Sequence, residues 1–276
     1  MAPAVVVMPF YEPLRLIEDI FFTDQLCEGR FVLGLGTGYQ PREFEKFGFA
    51  LDDRLAKGLE IWDALHAAQD RAVIDFQGDY LQINDAALSI EPLQRPIPTF
   101  AVGNAPEFRR RIVERGATPM CTPGVQDPSM IGVLRNLISE TCDELGVNGD
   151  DIPFAVQRYV FVTDDPAEAR RAAENVLHHA RLAANMRRDK PDIDGAMLNT
   201  PAFDNEPSLE KIQRDALIGS AEQVTQRIVE DAGQYGMTHL SVFMQFGDMP
   251  YSATLKSLER FGASVIPAVH KALAEQ

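Results

Sequence analysis

Short runs of apolar residues alternate with longer stretches of mixed character along most of this chain. The runs are rich in β-branched and aromatic residues, which predicts strands buried on both faces of a parallel sheet. Six such runs are found, at residues 4–8, 31–35, 99–102, 118–122, 154–162 and 239–246.

Between these runs, apolar residues recur at the helical spacing of three or four positions. Pro13 fits the first turn of a helix that runs to about Cys27, and Ser220 with Gln223 matches a capping box that begins a helix to Tyr235. Helices are also predicted at residues 52–69, 107–115 and 128–145, from about 167 onward, and at the end of the chain, with Leu255, Leu258 and Phe261 turned inward. Alternation of strand and helix predicts an α/β fold around a parallel sheet.

Three further segments and the single tryptophan carry their own predictions. Residues 76–83 indicate a small excursion or a hairpin, and Trp62 is most simply a core residue. His178 and His179 lie in a polar helix, which predicts solvated side chains. Residues 189–206 are polar, contain proline and lack periodicity, and a loop of that length in a compact domain is usually a lid or a mobile segment.

The glycine turn after the second run is the strongest chemical signal. Gly36-Thr37-Gly38 follows a buried strand, and Pro41 suits the first turn of the next helix. Strand, glycine turn and helix N-terminus together predict an anion site built from backbone N–H groups. A dinucleotide fingerprint needs a further glycine where Tyr39 or Pro41 stands, and no Walker lysine follows. A glycine-rich loop without any ligand remains the alternative.

Composition narrows the function classes. The formal net charge of −15 disfavours a nucleic-acid or anionic-membrane partner. Cys27, Cys121 and Cys142 show neither a CxxC spacing nor a nearby histidine, so neither a disulfide framework nor a metal site is predicted. No stretch is apolar enough to span a membrane and the first residues lack the basic start of a signal peptide, which predicts a cytoplasmic protein.

Several blocks of residues form a recognisable set. They are residues 6–9, 13–16, 24–26 and 29–39 in the first part of the chain, and 258–261 and 265–267 near its end. These blocks resemble the bacterial luciferase-like flavin-dependent monooxygenases over the full length, most specifically in residues 24–44. The resemblance implies a (β/α)8 TIM barrel of the luciferase-like type.

On that resemblance Met1 falls inside the third strand, so residues 1–276 would form a single barrel domain that is truncated at its N-terminus and keeps six of eight strands. Family barrels also often carry a non-proline cis peptide in strand three, which would fall near Ala4-Val5. The histidine used in luciferases lies in the absent part, so no catalytic residue can be assigned.

The resemblance also implies cofactor-binding residues at the carboxyl ends of the strands. Gly36, Thr37 and Gly38 match the phosphate-side loop, although luciferases have an arginine where this chain has Thr37. Tyr39 could edge the flavin ring. Gly103, Asn104 and Ala105 match the second loop, which in the family often carries serines. Thr122, at the end of the next strand, completes the set.

A flavin phosphate also needs a cation. Arg158 is the first candidate, because it lies in mid-strand and points to the same face as Val156 and Val160. The alternative is an outward Arg158 that pairs with a carboxylate on a helix. Arg42, one turn into the helix after the glycine turn, is the fallback.

The function implied by the family is a monooxygenase that uses reduced FMN and O₂ to oxygenate a small organic substrate. Reduced flavin would come from a separate flavin reductase, because no nicotinamide fingerprint is present. Hydride transfer with the deazaflavin F420 and a non-catalytic flavin-binding relic are the alternatives. A truncated barrel would expose a strand edge, which predicts a homodimer.

Overall fold

The computed structural model describes residues 2–71 and 73–275. The chain divides into two compact units. Unit 1 comprises the residues up to Met120 together with 137–152, and unit 2 comprises residues 121–136 and everything from Pro153 onward. The predicted placement of Met1 inside a strand lies outside the described residues.

Unit 1 begins with four of the six predicted strands, which form a parallel array. Strand β1 pairs with β2 at Val6↔Leu35, β2 pairs with β5 at Gly36↔Val102, and β5 pairs with β6 at Ala101↔Pro119. A hairpin of β3 and β4 interrupts the alternation, as predicted. The elements are β1 (Val6–Val7), α1 (Pro13–Leu26), β2 (Leu33–Gly36), α2 (Pro41–Phe47), α3 (Arg54–Gln69), β3 (Val73–Gln77), β4 (Gln82–Ala87), β5 (Thr99–Val102), α4 (Pro106–Glu114), β6 (Thr118–Cys121) and α5 (Ser129–Leu145), the last of which has residues in both units.

The core of unit 1 lies between its sheet and the helices α1, α3 and α4. Trp62 is 4% exposed and its ring lies 5.4 Å from that of Phe108, which confirms Trp62 as a core residue. The first strand is shorter than its apolar run, because Met8 already belongs to a short 3₁₀ turn. The Ala4-Val5 peptide bond is cis, as the resemblance implied.

Unit 2 is organised around β7, the longest strand of the chain. Its first half pairs in parallel with β11, at Arg158↔Val242, and its second half with β10, at Phe161↔Ile218. Strand β10 was not predicted, because three residues are too few to show a period. The elements are β7 (Ala155–Val162), α6 (Pro166–Met186), β8 (Ile193–Asp194), β9 (Met197–Leu198), α7 (Leu209–Asp215), β10 (Leu217–Gly219), α8 (Ala221–Tyr235), β11 (His239–Phe243), α9 (Tyr251–Arg260) and α10 (Ile266–Ala274).

The start of α8 has the capping box that the sequence predicted. The Ser220 side chain accepts a hydrogen bond from the Gln223 backbone N–H, and the Gln223 side chain accepts one from the Ser220 N–H. The segment 189–206 contains the two-residue strands β8 and β9, paired antiparallel. Arg181 anchors its far end by two hydrogen bonds to Glu206, of 2.6 and 2.7 Å. A role as a lid stays a prediction.

The inward face predicted for the terminal helix is wrong in part. Phe261 is buried, but Leu255 and Leu258 are 40% and 51% exposed. The inner positions are instead Thr254 and Ser257, and the Ser257 hydroxyl accepts a 2.8 Å hydrogen bond from the N–H of Val162 at the end of β7. Ser257 thus supplies an acceptor for a backbone N–H at the end of β7.

Candidate functional site

Two loops follow neighbouring parallel strands of unit 1 and lie at the same edge of the sheet. Residues 37–40 connect β2 to α2, and residues 103–105 connect β5 to α4. Because Gly36 is paired in register with Val102, the two loops leave the sheet at the same level. The structure thus brings together seven of the nine residues that the sequence predicted for the cofactor.

The glycines of the first loop are required by close packing. Gly38 has φ +80°, and a Cβ atom on it would lie 2.8 Å from the Phe44 ring and 2.8 Å from Val7 Cγ1. A Cβ on Gly36 would lie 2.8 Å from Val5 Cγ2. Any side chain at these positions would have to displace a neighbour, so the loop keeps its backbone N–H groups close to the strand end.

Thr37 and Tyr39 take different positions in the first loop. Thr37 is half-buried, and its methyl group lies 2.9 Å from where a Cβ of Gly58 on α3 would be. Tyr39 is 44% exposed. Thr37 is therefore fixed by a helix contact, whereas Tyr39 offers an accessible ring at the rim of the loop.

The second loop combines a tight turn with a cation. A Cβ on Gly103 would lie 2.7 Å from the Phe108 ring, and Ala105 leads into the first turn of α4, where Pro106 stands. The guanidinium group of Arg109, half-buried one turn into α4, donates to the backbone oxygen of Asn104 and, at 3.3 Å, to the Thr141 hydroxyl. Sequence reasoning missed Arg109. Its spacing of five residues after Asn104, one turn beyond a proline, was the available signal.

The two remaining predicted residues belong to unit 2. Thr122 follows β6 and is exposed. Arg158 is 1% exposed, and its guanidinium group donates to the carboxylate of Asp231 on α8 and to the backbone oxygen of Asp215. This matches the alternative that the sequence left open, an arginine paired with a helix carboxylate.

The next residue on β7 has the opposite orientation. Tyr159 faces α6, where its hydroxyl oxygen lies 2.9 Å from Nδ1 of His179. The expectation that both histidines are solvated is therefore wrong for His179, which is half-buried, and holds for His178, which is exposed. The sequence contained a signal for this burial. Ala172, Val176 and His179 follow one another at spacings of four and three residues, which places them on one face of α6.

Three further observations concern other kinds of site. Burial raises the pKa of the Cys121 thiol to about 11, so this sulfur stays protonated and is a poor nucleophile at neutral pH. Among residues 2–71 and 73–275, no three His, Cys, Asp or Glu side chains are grouped as a metal ion would require. Within the same residues, no helix is long and apolar enough to cross a membrane.

A family description settles the class of protein. The model of the luciferase-like monooxygenases matches residues 1–239. The chain belongs to this family. The luciferase-like family includes flavin-dependent monooxygenases and F420-dependent oxidoreductases, and its fold is an α/β fold of the TIM-barrel type.

Relatives of this luciferase-like chain cover nearly all of it. The protein y4vJ of Sinorhizobium fredii is 30% identical over 275 residues, which are 99% of this chain and 78% of that protein. The oxygenase component of a flavin-dependent trigonelline monooxygenase from Acinetobacter baylyi is 21% identical, over 97% of this chain and 76% of that protein.

Solved structures share the fold at lower identity. The monooxygenase RslO1 of Streptomyces bottropensis has a TM-score of 0.79 at 18% identity, over 96% of this chain and 77% of that one. The oxygenating constituent of 3,6-diketocamphane monooxygenase from Pseudomonas putida, in complex with FMN, has a TM-score of 0.72 at 21% identity, over 97% and 79%. An F420-dependent secondary alcohol dehydrogenase has a TM-score of 0.75 at 18% identity, over 97% and 78%.

Proposed function

We propose that this chain is the oxygenase component of a flavin-dependent monooxygenase, which receives reduced FMN from a separate flavin reductase. When bound, the flavin supplies the reaction with O₂ that oxygenates a small organic substrate, and the protein supplies binding and orientation. The two loops at the edge of the unit 1 sheet would hold the phosphate of the cofactor.

The observation that carries this proposal is the pairing of two glycine turns on adjacent strands. Gly36 ends β2 in register with Val102, Gly103 directly follows Val102, and Gly38 adds a positive φ in the first loop. Glycine at these points lets each turn pack closely against its neighbours, so the backbone N–H groups of both loops would lie at the same edge of the sheet, where an anion could bind them. The N-terminus of α4, which follows the second loop, adds a favourable dipole.

Arg109 completes the proposed phosphate site. Its guanidinium group is held over the second loop by Asn104 and Thr141, so it is oriented before a ligand arrives. A planar guanidinium has five donors, and two hydrogen bonds within the protein leave others for a phosphate oxygen. In this proposal Arg109 takes the place of Arg158, whose charge is already balanced by Asp231.

The relatives support the reaction class. The trigonelline enzyme is by name an oxygenase component, which implies a partner that reduces the flavin. The structure of the diketocamphane enzyme contains FMN. These are properties of those proteins, and they come to this chain only as part of the proposal.

Fluorescence titration with FMN, reduced FMN and F420 under anaerobic conditions tests the proposal. We expect reduced FMN to bind more tightly than oxidised FMN, and a flavin reductase added in trans to start substrate-dependent O₂ uptake. Absence of binding by any of the three at high micromolar concentration would reject it. Binding without O₂ uptake across a substrate panel would point to a non-catalytic flavin protein.

The likeness to the F420-dependent alcohol dehydrogenase favours a second candidate, hydride transfer to or from F420. Selective binding of F420, with no competition by FMN, would decide for it. Reduction of F420 by a secondary alcohol without O₂ would then be the activity to measure.

A homodimer also remains a prediction. Leu255 and Leu258 on α9 and Ile266 on α10 are each at least 40% exposed. Sedimentation velocity over a range of concentrations measures the assembly, and a single monomeric species throughout would contradict the prediction.

A further inference from the structure

A cleft of about 320 Å³ lies in unit 2, where the strands β7 and β10 end side by side. Thr163 directly follows β7, and its N–H donates to the backbone oxygen of Gly219, the last residue of β10, at 2.9 Å. Both strand ends and the helices α6, α7 and α8 contribute residues to the lining of the cleft. Its volume is sufficient for one small organic molecule.

One face of α8 supplies three polar side chains to the cleft. Ser220, Gln223 and Arg227 follow one another at spacings of three and four residues, and all three line the cleft. The Gln223 side-chain oxygen accepts a 3.0 Å hydrogen bond from the Ser220 N–H, so the NH₂ group of Gln223 is left to donate. Gln213 on α7 adds a fourth polar side chain, which makes no hydrogen bond among the described residues.

Arg227 brings a positive charge that no ion pair balances among residues 2–71 and 73–275. Its Nη1 atom donates to the backbone oxygens of Ala216 and Ile218, the latter at 3.2 Å. These two bonds hold the half-buried guanidinium group against β10. Because a guanidinium group has five N–H donors, Arg227 keeps donors for a ligand.

The surroundings of Arg227 favour an anion beside it. Burial lowers the pKa of the Arg227 guanidinium group, and the neighbouring Arg158 lowers it further. Glu230, Asp215 and Asp231 act in the opposite direction, but none of these three is among the described residues that line the cleft. A ligand anion in the cleft would therefore offset a desolvation cost that the fold leaves in place.

Two carboxylates also line the cleft, and each has a partner within the protein. Asp165 accepts a 2.8 Å hydrogen bond from the Ala167 N–H at the N-terminus of α6, where the helix dipole favours a negative charge. Asp164 is exposed and lies 3.5 Å from Nη1 of Arg260. A carboxylate accepts several hydrogen bonds, so both side chains can also accept from hydroxyl groups of a ligand.

We propose that this cleft binds a small hydroxylated phosphate monoester. Arg227, Gln213 and Gln223 hold the phosphate group, and Asp164 and Asp165 accept hydrogen bonds from the hydroxyl groups. With the Ser220 hydroxyl, the donor groups of the cleft number four, which suits the three terminal oxygens of a phosphate better than the two of a carboxylate. The site is defined by unit 2 alone, so it does not depend on the flavin proposal.

Isothermal titration calorimetry with glycerol 3-phosphate tests the proposal, and methyl phosphate and glycerol test its two halves. We expect glycerol 3-phosphate to bind more tightly than methyl phosphate, and glycerol to bind at least tenfold more weakly than either. Equal affinities for the two phosphates would overturn the assignment of a hydroxylated ligand. A wild-type protein that binds neither phosphate at millimolar concentration would overturn the whole proposal.

Gln213→Glu is the variant that tests the phosphate contact, because it replaces a donor by a carboxylate and breaks no hydrogen bond of the described residues. We expect it to weaken the binding of glycerol 3-phosphate about tenfold. Gln234→Glu is the matched control, since it makes the same change at an exposed position of α8 and should leave the affinity unchanged. Wild-type affinity in Gln213→Glu, or equal losses in the two variants, would contradict the proposal.

Arg227→Gln tests the cation of the cleft. It should weaken the binding of glycerol 3-phosphate at least tenfold, and Arg227→Lys should recover part of this loss because it keeps the charge. Since Arg227 also bonds to the backbone beside β10, circular dichroism first establishes that each variant is folded. A folded Arg227→Gln protein with wild-type affinity would overturn the proposal, and if that variant does not fold, Gln213→Glu decides alone.

Flavin titration of the same variants distinguishes this cleft from the proposed flavin site, because FMN is itself a phosphate monoester. We expect Gln213→Glu to bind reduced FMN as tightly as the wild-type protein does, and glycerol 3-phosphate not to compete with FMN. Competition, or a loss of FMN binding in Gln213→Glu, would overturn the proposal of a separate site. Binding of glycerol 3-phosphate without any binding of FMN would support the cleft and reject the flavin proposal.

Discussion

The glycine turns of unit 1 and strand β7 of unit 2 differ in which part of the chain, backbone or side chain, makes the polar contacts. In the turns, the glycines pack tightly against neighbouring side chains, and the backbone would carry the proposed chemistry. On β7, side chains make the polar contacts, and adjacent side chains point to opposite faces of the strand. Arg158 donates to the Asp231 carboxylate on α8, and the Tyr159 hydroxyl contacts His179 on α6. A charged residue in a strand is therefore informative only once its face and its partner are known.

The largest expected effect comes from breaking the Arg158 ion pair. Asp231→Ala leaves a buried guanidinium without its carboxylate, and we expect the free energy of unfolding to fall by about 3–5 kcal/mol. Urea denaturation measures it. The control is Asp19→Ala, which breaks an exposed 3.0 Å pair with Arg15 and should cost less than about 0.5 kcal/mol.

The double variant Arg158→Met with Asp231→Leu sharpens this comparison. Two apolar side chains of similar volume should recover most of the lost stability, because both buried charges are removed together. If the double variant folds and no longer binds reduced FMN, Arg158 would return as a cofactor residue. Unchanged flavin binding would confirm that the charge serves the fold.

The second effect concerns Gly38 in the first turn. Gly38→Ala combines a positive φ with contacts of 2.8 Å to Phe44 and Val7, and Gly48→Ala has the similar φ of +75° in open space. We expect Gly48→Ala to cost about 1–2 kcal/mol from backbone strain, and Gly38→Ala about 1–3 kcal/mol more from overpacking.

Only Gly38→Ala should also weaken flavin binding, because only that glycine lies in the proposed phosphate loop. Both stability and affinity are measured on the two purified variants. Equal losses of stability in the two would show that the loop relaxes around a methyl group, and that its glycine is not needed for packing.

The strands could be predicted from the sequence because apolar runs have a strong local signal. All six predicted parallel strands are present, and so is the hairpin of β3 and β4. The glycine turns could also be located, since glycines directly after a buried strand mark a tight turn. The resemblance supplied the family, which the comparisons confirmed.

Partners distant in sequence could not be predicted in this way. Arg158 and Asp231 are 73 positions apart, and Tyr159 and His179 are 20 apart, so no local pattern joins them. The prediction of the buried face of the terminal helix was wrong for a similar reason. Hydropathy predicts the leucines on its inner face, whereas in the structure Ser257 lies inside and accepts a hydrogen bond from the N–H of Val162, 95 positions away.

The third prediction separates the two polar residues of that inner face. Ser257→Ala leaves the Val162 N–H without its acceptor and should lower the free energy of unfolding by about 1–3 kcal/mol. The Thr254 hydroxyl is buried and has no hydrogen-bond partner among the described residues, so Thr254→Val should be neutral or stabilising. Thermal unfolding compares them. A larger loss for Thr254→Val would mean that its hydroxyl, and not that of Ser257, holds the helix end.

The smallest effect tests the cation of the proposed phosphate site. Arg109→Gln removes a charge that we expect to contribute one charge-assisted hydrogen bond, so reduced FMN should bind about tenfold more weakly. Arg109→Lys keeps the charge but lacks the planar guanidinium group, so its affinity for reduced FMN should lie between those of the wild-type protein and Arg109→Gln. Arg110→Gln is the control, because Arg110 is the next residue of α4 and pairs with Glu114 on the exposed side.

An unchanged affinity in Arg109→Gln, with weaker binding in Gly38→Ala, would mean that backbone N–H groups alone hold the phosphate. The two regions would then differ in their use of charge, since unit 1 would bind its ligand without any charged side chain. A tenfold loss of affinity for reduced FMN in Arg109→Gln would instead show that the two regions are alike in this respect. Both regions would then use a charged side chain, Arg109 on α4 in unit 1 and Arg158 on β7 in unit 2.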